Sequence, residues 1–300
     1  MAIANGWRVR RLTAALGAEV TGVKLSQADQ SDANEIRALL HEHKVLFFPG
    51  QHLDPDEHIA FGRYFGELEG HPNLKNRNDV EHPELFRLQA STGGIADEWH
   101  TDLTFLPQPA LMSILNMKQC PEVGGDTMWC SLTAAYEGLS APLQELCEGL
   151  SALHDAHPHD RPDRMAIHPL VRIDPQTGKK ALYVNEHFTR RIVEMSGAES
   201  EHFLAYLTRW VQQPAFTVRY HWTAGTIGMW DNRFTQHYVV NDFEGERVIE
   251  RVTVMGDHPV GNQPRWRPYP ELHDAASAMS RHDRQLLRHL REGQAADAAE

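Results

Sequence analysis

Beyond residue 100 the chain is divided into short strand-like pieces, at 110–118, 126–130, 170–173, 181–184, 216–220, 226–230 and 248–255. Each is apolar or alternating, and turn residues separate one from the next. Strands of this length bury their apolar faces only by pairing with neighbours distant in sequence. That restricts the chain to a β-sandwich or jelly-roll core, with helices at 133–150 and 198–213 inserted between strands. The expected class is mainly β with α (α+β): a jelly roll with flanking helices.

The N-terminal part adds to this frame. Residues 7–25 read as short strands with Gly17 and Gly22 as turn points. Residues 31–44 form an amphipathic helix, with Ile36, Leu39, Leu40 and His43 at helical spacing. His43 is read as a helix-end residue, favoured there by the helix dipole. Val45-Leu46-Phe47-Phe48 is a buried strand stopped by Pro49-Gly50. Asp54-Pro55-Asp56-Glu57 opens a second helix that runs to Phe65. Residues 71–98 lack periodicity and read as a loop. Near the end, 281–292 is a charged helix whose Arg281, Arg284, Arg288 and Arg291 form a solvated face or a subunit contact. Residues 1–270 are therefore expected to be one domain, and 271–300 a helical extension with a frayed tail.

With 300 residues, 41% of them hydrophobic, the chain can bury a sizeable core. A formal charge of -12 argues against nucleic acid or an anionic membrane as partner. An anionic small molecule remains compatible, because a local pair of arginines outweighs a distant average. No apolar run reaches transmembrane length, and Met1 to Gly6 lacks the regions of a signal peptide. Cys120, Cys130 and Cys147 form no CxxC pair and read as reduced thiols of a cytoplasmic protein.

Three stretches carry chemistry. In Glu98-Trp99-His100-Thr101-Asp102, an extended backbone would place His100 and Asp102 on one face. An imidazole and a carboxylate so placed are two of the three ligands of a facial triad, the signature of non-heme Fe(II) oxygenases. His-x-Asp is a weak signal by itself in a chain with 19 histidines. In Trp230 to Tyr238, a turn at Asp231-Asn232 is followed by His237 on an extended piece, and this histidine could close the triad. In Glu246 to Met255, Arg247, Ile249 and Arg251 share one strand face. If that face is interior, two guanidiniums point into a cavity and require anions. If it is exterior, Val248 and Val252 pack inward instead; alternation does not distinguish the two.

The blocks LGAEVTGV, VLFFPGQ, WHTDLTF, GGDTMW, HPLVRIDPQTGKKALYVNEHF, WDNRFTQHY and ERVIERVTVMGD occur in this order between about residues 7 and 257. In them the chain resembles the TauD/TfdA family of Fe(II)- and 2-oxoglutarate-dependent dioxygenases. The resemblance implies a double-stranded β-helix, the cupin-like jelly roll. It implies His100, Asp102 and His237 as iron ligands. Arg247 would pair with the distal carboxylate of 2-oxoglutarate, with Thr127 as its hydrogen-bonding partner. Arg251 would anchor the acidic group of the prime substrate, with His71, Leu103 and Phe188 around it and Trp230 packed near the iron. Fe(II), 2-oxoglutarate and O2 are the implied cofactor and co-substrates, with succinate and CO2 released as the substrate is hydroxylated. A homo-oligomer, dimer or tetramer, is expected on the resemblance alone.

The chain also departs from the pattern. Taurine enzymes place a tyrosine and an asparagine near the substrate amine, where this chain has Leu74 (or Asn73, if the loop shifts) and Ala96. Keeping His71 and Arg251 without those contacts implies an anionic substrate lacking a taurine-like ammonium: a sulfonate, a sulfate ester or an aryloxyalkanoate. The alternative is the same chemistry on an amino-acid-derived or natural-product intermediate. A metal-free jelly-roll binding protein is a third reading, disfavoured by the intact ligand set. Residues 154–164 look like a shortened, Pro-broken, solvated lid. Its His154, His157 and His159 lack the rigid spacing of a second metal site, and His168 is read as structural.

Overall fold

The computed structural model describes residues 6–69, 82–90, 96–270 and residue 289. Two sheets face each other as a jelly roll. The larger runs Arg8–Arg11, Ala18–Thr21, Val45–Phe48, Ile227–Asp231, Ala110–Gln119, Val248–Met255 and Leu68–Glu69, with Phe86–Gln89 also paired to Val248–Met255. The smaller places Thr127–Ser131 between Thr217–Tyr220 and Thr235–Val239. All pairings are antiparallel except Ala18–Thr21 with Val45–Phe48.

Alternation sorts the large sheet's side chains into two cores. Its outer face holds Leu46, Phe48, Met229, Val252 and Val254 against Ile36 and Leu40 of helix Gln30–His43 and Ile59 and Phe61 of helix Pro55–Arg63. Both helices start on an aspartate capping box, Asp29 with Asp32 and Asp54 with Glu57, which satisfies donors that the first turn leaves unpaired. The inner face holds Val45, Phe47, Leu115, Trp230 and Ile249 against Trp129, Val218 and Tyr220 of the small sheet. Phe47 and Tyr220 stack there at 3.6 Å. Gly228 is part of this fit: a Cβ on it would lie 2.6 Å from the Trp222 ring. Behind the small sheet, helices Leu132–Glu137 and Gly197–Val211 cover a third core that includes Cys130, Leu204 and Leu207.

The strand expected at 248–255 is found with those bounds. Three expectations are corrected. The helix at 133–150 is two helices, Leu132–Glu137 and Ala141–Cys147, interrupted around Gly138 and restarted with Pro142 in its first turn. Within 71–98, Phe86–Gln89 is a strand rather than loop, stabilised by pairing with Val248–Arg251. The lid at 154–164 is not an irregular loop, although residues 157–164 are exposed or half-buried. Ser151–Ala156 and Arg161–Pro169 form a hairpin through the 3-10 turn His157–His159, and His154 is fully buried.

Among the described residues no helix is long and apolar enough to cross a membrane. The charged helix at 281–292 and the tail to residue 300 lie outside them, apart from residue 289.

Candidate active site

The site begins with one backbone pairing between segments remote in sequence. His100 N–H donates to His237 C=O at 3.1 Å, and His237 N–H donates to His100 C=O at 2.8 Å. This two-way bridge sets the two imidazole centroids 4.0 Å apart. The chain then turns, so the expected extended run through Asp102 holds only at His100. Residues 102–105 are a turn, with Leu103 at φ +60°, and the turn returns the Asp102 carboxylate toward the imidazoles. Asp102 Oδ1 lies 3.8 Å from His100 Nε2 and 4.0 Å from His237 Nε2. One ligand atom from each of the three buried residues lies within 4.8 Å of the others.

The surroundings fix which atoms face the centre. His100 Nδ1–H donates to the Glu98 carbonyl at 2.8 Å, which leaves Nε2 as the outward lone pair. Ser113 Oγ donates to Asp102 Oδ2 at 2.7 Å, so Oδ1 alone is turned to the imidazoles. Asn232 supports this: its Nδ2 donates to Ser113 Oγ, and its Oδ1 accepts from the Trp230 indole and from Asp102 N–H. The Trp230 ring also packs on His237, at 4.7 Å between centroids.

Burial pushes His100 down to about 4 and His237 well below its ordinary value, so both imidazoles are neutral. Burial would raise Asp102, but the Arg251 guanidinium, helped by the Ser113 hydroxyl, holds it well below the usual carboxylate range. Two neutral nitrogens and one ionised oxygen converging on a point, with one side open to a cavity, fit Fe(II) with free coordination positions.

Strand Val248–Met255 and the preceding Arg247 supply the cationic wall. Arg247, Ile249 and Arg251 line the cavity, while Val252 and Val254 pack against the helices. The strand is therefore buried on both faces, and neither arginine is at a solvent-facing surface. Arg247 Nε donates to Gly125 C=O at 3.1 Å and its NH2 group to Thr127 Oγ1 at 3.3 Å. Among the described residues no carboxylate pairs with it, and burial pulls the guanidinium down to about 10. Thr127 Oγ1 also accepts from the Trp222 indole at 2.9 Å, leaving its own hydrogen to donate. Arg251 donates to Asp102 Oδ1 at 2.8 Å and lies over the Phe86 ring, while its buried Nε has no partner among the described residues. The residue expected at the substrate's acidic group thus also touches the metal-facing oxygen.

The cavity has a volume of about 440 Å3, within the range of small-molecule sites. Arg247 and Arg251 are four strand residues apart, roughly 13 Å along the backbone. Leu103 and Phe188 line the cavity as expected, and so does Ala96. His71, Leu74 and Asn73 lie outside the described residues. Several lining residues were not anticipated: Phe86 and Leu88, His159 at the hairpin tip, and His187, whose Nδ1 meets Glu98 Oε2 at 2.5 Å. Phe86 and Leu88 alternate with Arg87 and Gln89, a strand signal too short to stand out from its surroundings.

The family model described as "Taurine catabolism dioxygenase TauD, TfdA family" matches residues 8–253. An alpha-ketoglutarate-dependent sulfate ester dioxygenase of Pseudomonas putida is 38% identical over 269 residues, covering 82% of this chain and 88% of that protein. An alkylsulfatase of Acinetobacter baylyi is 36% identical, covering 85% of this chain and 86% of its own. The crystal structure of a taurine dioxygenase from Burkholderia xenovorans superposes with a TM-score of 0.78 at 38% identity, covering 87% of this chain and 94% of that one. With its jelly roll, its buried His-Asp-His cluster and a match across most of its length, the chain belongs to the TauD/TfdA family.

Proposed function

We propose that this protein is an Fe(II)- and 2-oxoglutarate-dependent dioxygenase that hydroxylates a small anionic organic substrate, a sulfate ester foremost, releasing succinate and CO2. The observation that carries the reading is the buried His100–Asp102–His237 cluster sharing one cavity with a buried Arg247 that has no carboxylate partner among the described residues. His100 and His237 through Nε2, and Asp102 through Oδ1, would hold Fe(II). Bound there, the metal supplies the coupling of O2 reduction and 2-oxoglutarate decarboxylation to C–H hydroxylation. The protein's part is positioning. Arg247 and the free Thr127 hydroxyl hydrogen meet the distal carboxylate of 2-oxoglutarate, a two-donor match for an acid that would otherwise be costly to bury. Arg251 meets the anionic group of the prime substrate, with Leu103 and Phe188 as dry walls and His71 as a further contact.

The sulfate-ester preference is supported by the names of the two relatives given above, and by the absence at Ala96 of a side chain that could hydrogen-bond an amine. Hydroxylation at the carbon bearing the ester oxygen yields an adduct that collapses to an aldehyde and sulfate. Sulfonates and aryloxyalkanoates present the same anion beside an oxidisable carbon. The same reading places the protein in the cytoplasm, in keeping with its free thiols, and as a homo-oligomer.

The test is succinate release under Fe(II), ascorbate and air across alkyl sulfates, sulfonates, aryloxyacids and amino acids. Alkyl sulfates are expected to stimulate succinate formation most. No stimulation by any of the anions, or full turnover by Asp102→Ala, would overturn the reading.

A further inference from the structure

Two cavity-wall residues, Leu103 and Phe188, come from distant segments, and one buried side chain ties those segments together. Asn185 Oδ1 accepts from Phe188 N–H at 2.8 Å, and Asn185 Nδ2 donates to Thr104 Oγ1 at 3.1 Å. Asn185 and Thr104 are both buried, Thr104 completely. The amide's orientation follows from its partners, because only Oδ1 can accept from a backbone N–H.

Thr104 is held from two further directions. Its hydroxyl hydrogen-bonds His154 Nδ1 at 3.0 Å, and its carbonyl accepts from His168 Nε2 at 2.8 Å. Thr189 Oγ1 closes the ring by accepting from Asn185 N–H at 2.9 Å and meeting His154 Nδ1 at 3.2 Å. Three separate stretches, around 154, 168 and 185–189, therefore converge on one threonine two residues beyond Asp102. Leu103 between them sits at φ +60°, a left-handed conformation that a leucine adopts only when its surroundings impose it. The residue that follows it is held by the bonds onto Thr104.

We propose that Asn185 and Thr104 form a clamp that sets the separation and angle of the Leu103 and Phe188 walls, and so positions the prime substrate relative to the metal. Neither residue lines the cavity; both act through the residues beside them. The clamp belongs to the prime-substrate part of the cavity, whereas the hydrogen bonds of Arg247 and Thr127 run to each other, to Gly125 and to Trp222. Its loss affects substrate placement and leaves 2-oxoglutarate binding intact. This inference rests on the reaction proposed above.

The variants are Thr104→Val, which keeps the shape and removes the hydroxyl, and Thr104→Ser, which restores it. With hexyl sulfate, Thr104→Val is expected to raise KM about tenfold, the equivalent of one lost buried hydrogen bond. Its yield of hexanal per succinate is expected to fall, because a misplaced substrate lets 2-oxoglutarate turn over without product. KM for 2-oxoglutarate is expected to stay within about twofold, and Thr104→Ser to recover both substrate readouts. Faster amide exchange at Phe188 in Thr104→Val, with exchange at Val252 unchanged, is expected by hydrogen-exchange NMR. An unchanged hexanal-to-succinate ratio, or equal losses in both KM values, overturns the clamp. Should the wild-type protein turn over none of the anions, the proposed reaction fails instead, and unchanged exchange at Phe188 then overturns the clamp independently.

Discussion

The two oxygens of Asp102 do different work. Oδ2 is taken by Ser113, itself held by Asn232, and Oδ1 faces the two imidazoles. That His100, Asp102, His237, Arg247 and Arg251 converge on one cavity was legible in sequence because each lies in a contiguous block with a pattern of its own. Ser113 and Asn185 were not, because their role exists only once distant strands meet. Buried neutral histidines also make a pH signature at this scale. Burial pushes His58 and His168 down to about 4 from an ordinary 6.5. The unfolded chain therefore binds more protons than the folded one between these values. Each residue's contribution is fully present above pH 6.5 and is lost as pH falls toward 4, at up to about 1.4 kcal/mol per pH unit per group. Urea midpoints of the metal-free protein are expected to fall steadily from pH 7 to pH 5; a flat profile would show that these imidazoles are not buried neutral.

At the scale of elements, long strands with clean patterns were readable and short or partner-dependent ones were not. Val248–Met255 is apolar at both ends and buried at every position before the half-buried Met255, so its bounds showed in sequence. Phe86–Gln89 exists because Val248–Arg251 offers it a partner edge, and no local pattern announces that. The 151–169 hairpin was hidden by Pro158 and Pro162, which read as breakers but sit at its tip and on its return strand. The Gly124-Gly125 turn has a testable function. Both residues have positive φ, and a Cβ on Gly124 would lie 2.5 Å from the Asp242 carbonyl oxygen. The turn delivers the Gly125 carbonyl to Arg247 Nε. Gly124→Ala is expected to raise KM for 2-oxoglutarate about tenfold with kcat near wild type, as one positioned hydrogen bond is disturbed. Unaltered steady-state kinetics for 2-oxoglutarate would show that the turn does not position Arg247.

At the scale of the molecule, the jelly roll turns sequence distance into adjacency. His100 and His237 meet through one backbone bridge, and Thr127 meets Arg247 across the two sheets. The class of fold was readable from many short strands, whereas the strand order was not, because pairing is decided by which apolar faces complement one another in three dimensions. The resulting cavity is arranged along a single strand: Arg247 toward Thr127, Arg251 toward Asp102, and Ile249 between the arginines in sequence. The central claim is that this cavity assembles iron and 2-oxoglutarate on those residues. It is tested most directly by adding Fe(II) and 2-oxoglutarate to the protein without oxygen and recording the visible spectrum. A charge-transfer band is expected in the wild type. It should be lost in Asp102→Ala and need at least tenfold more 2-oxoglutarate in Arg247→Ala, as expected for removal of a charged hydrogen-bond partner. No band in the wild type, or an undiminished one in Asp102→Ala, would contradict the account.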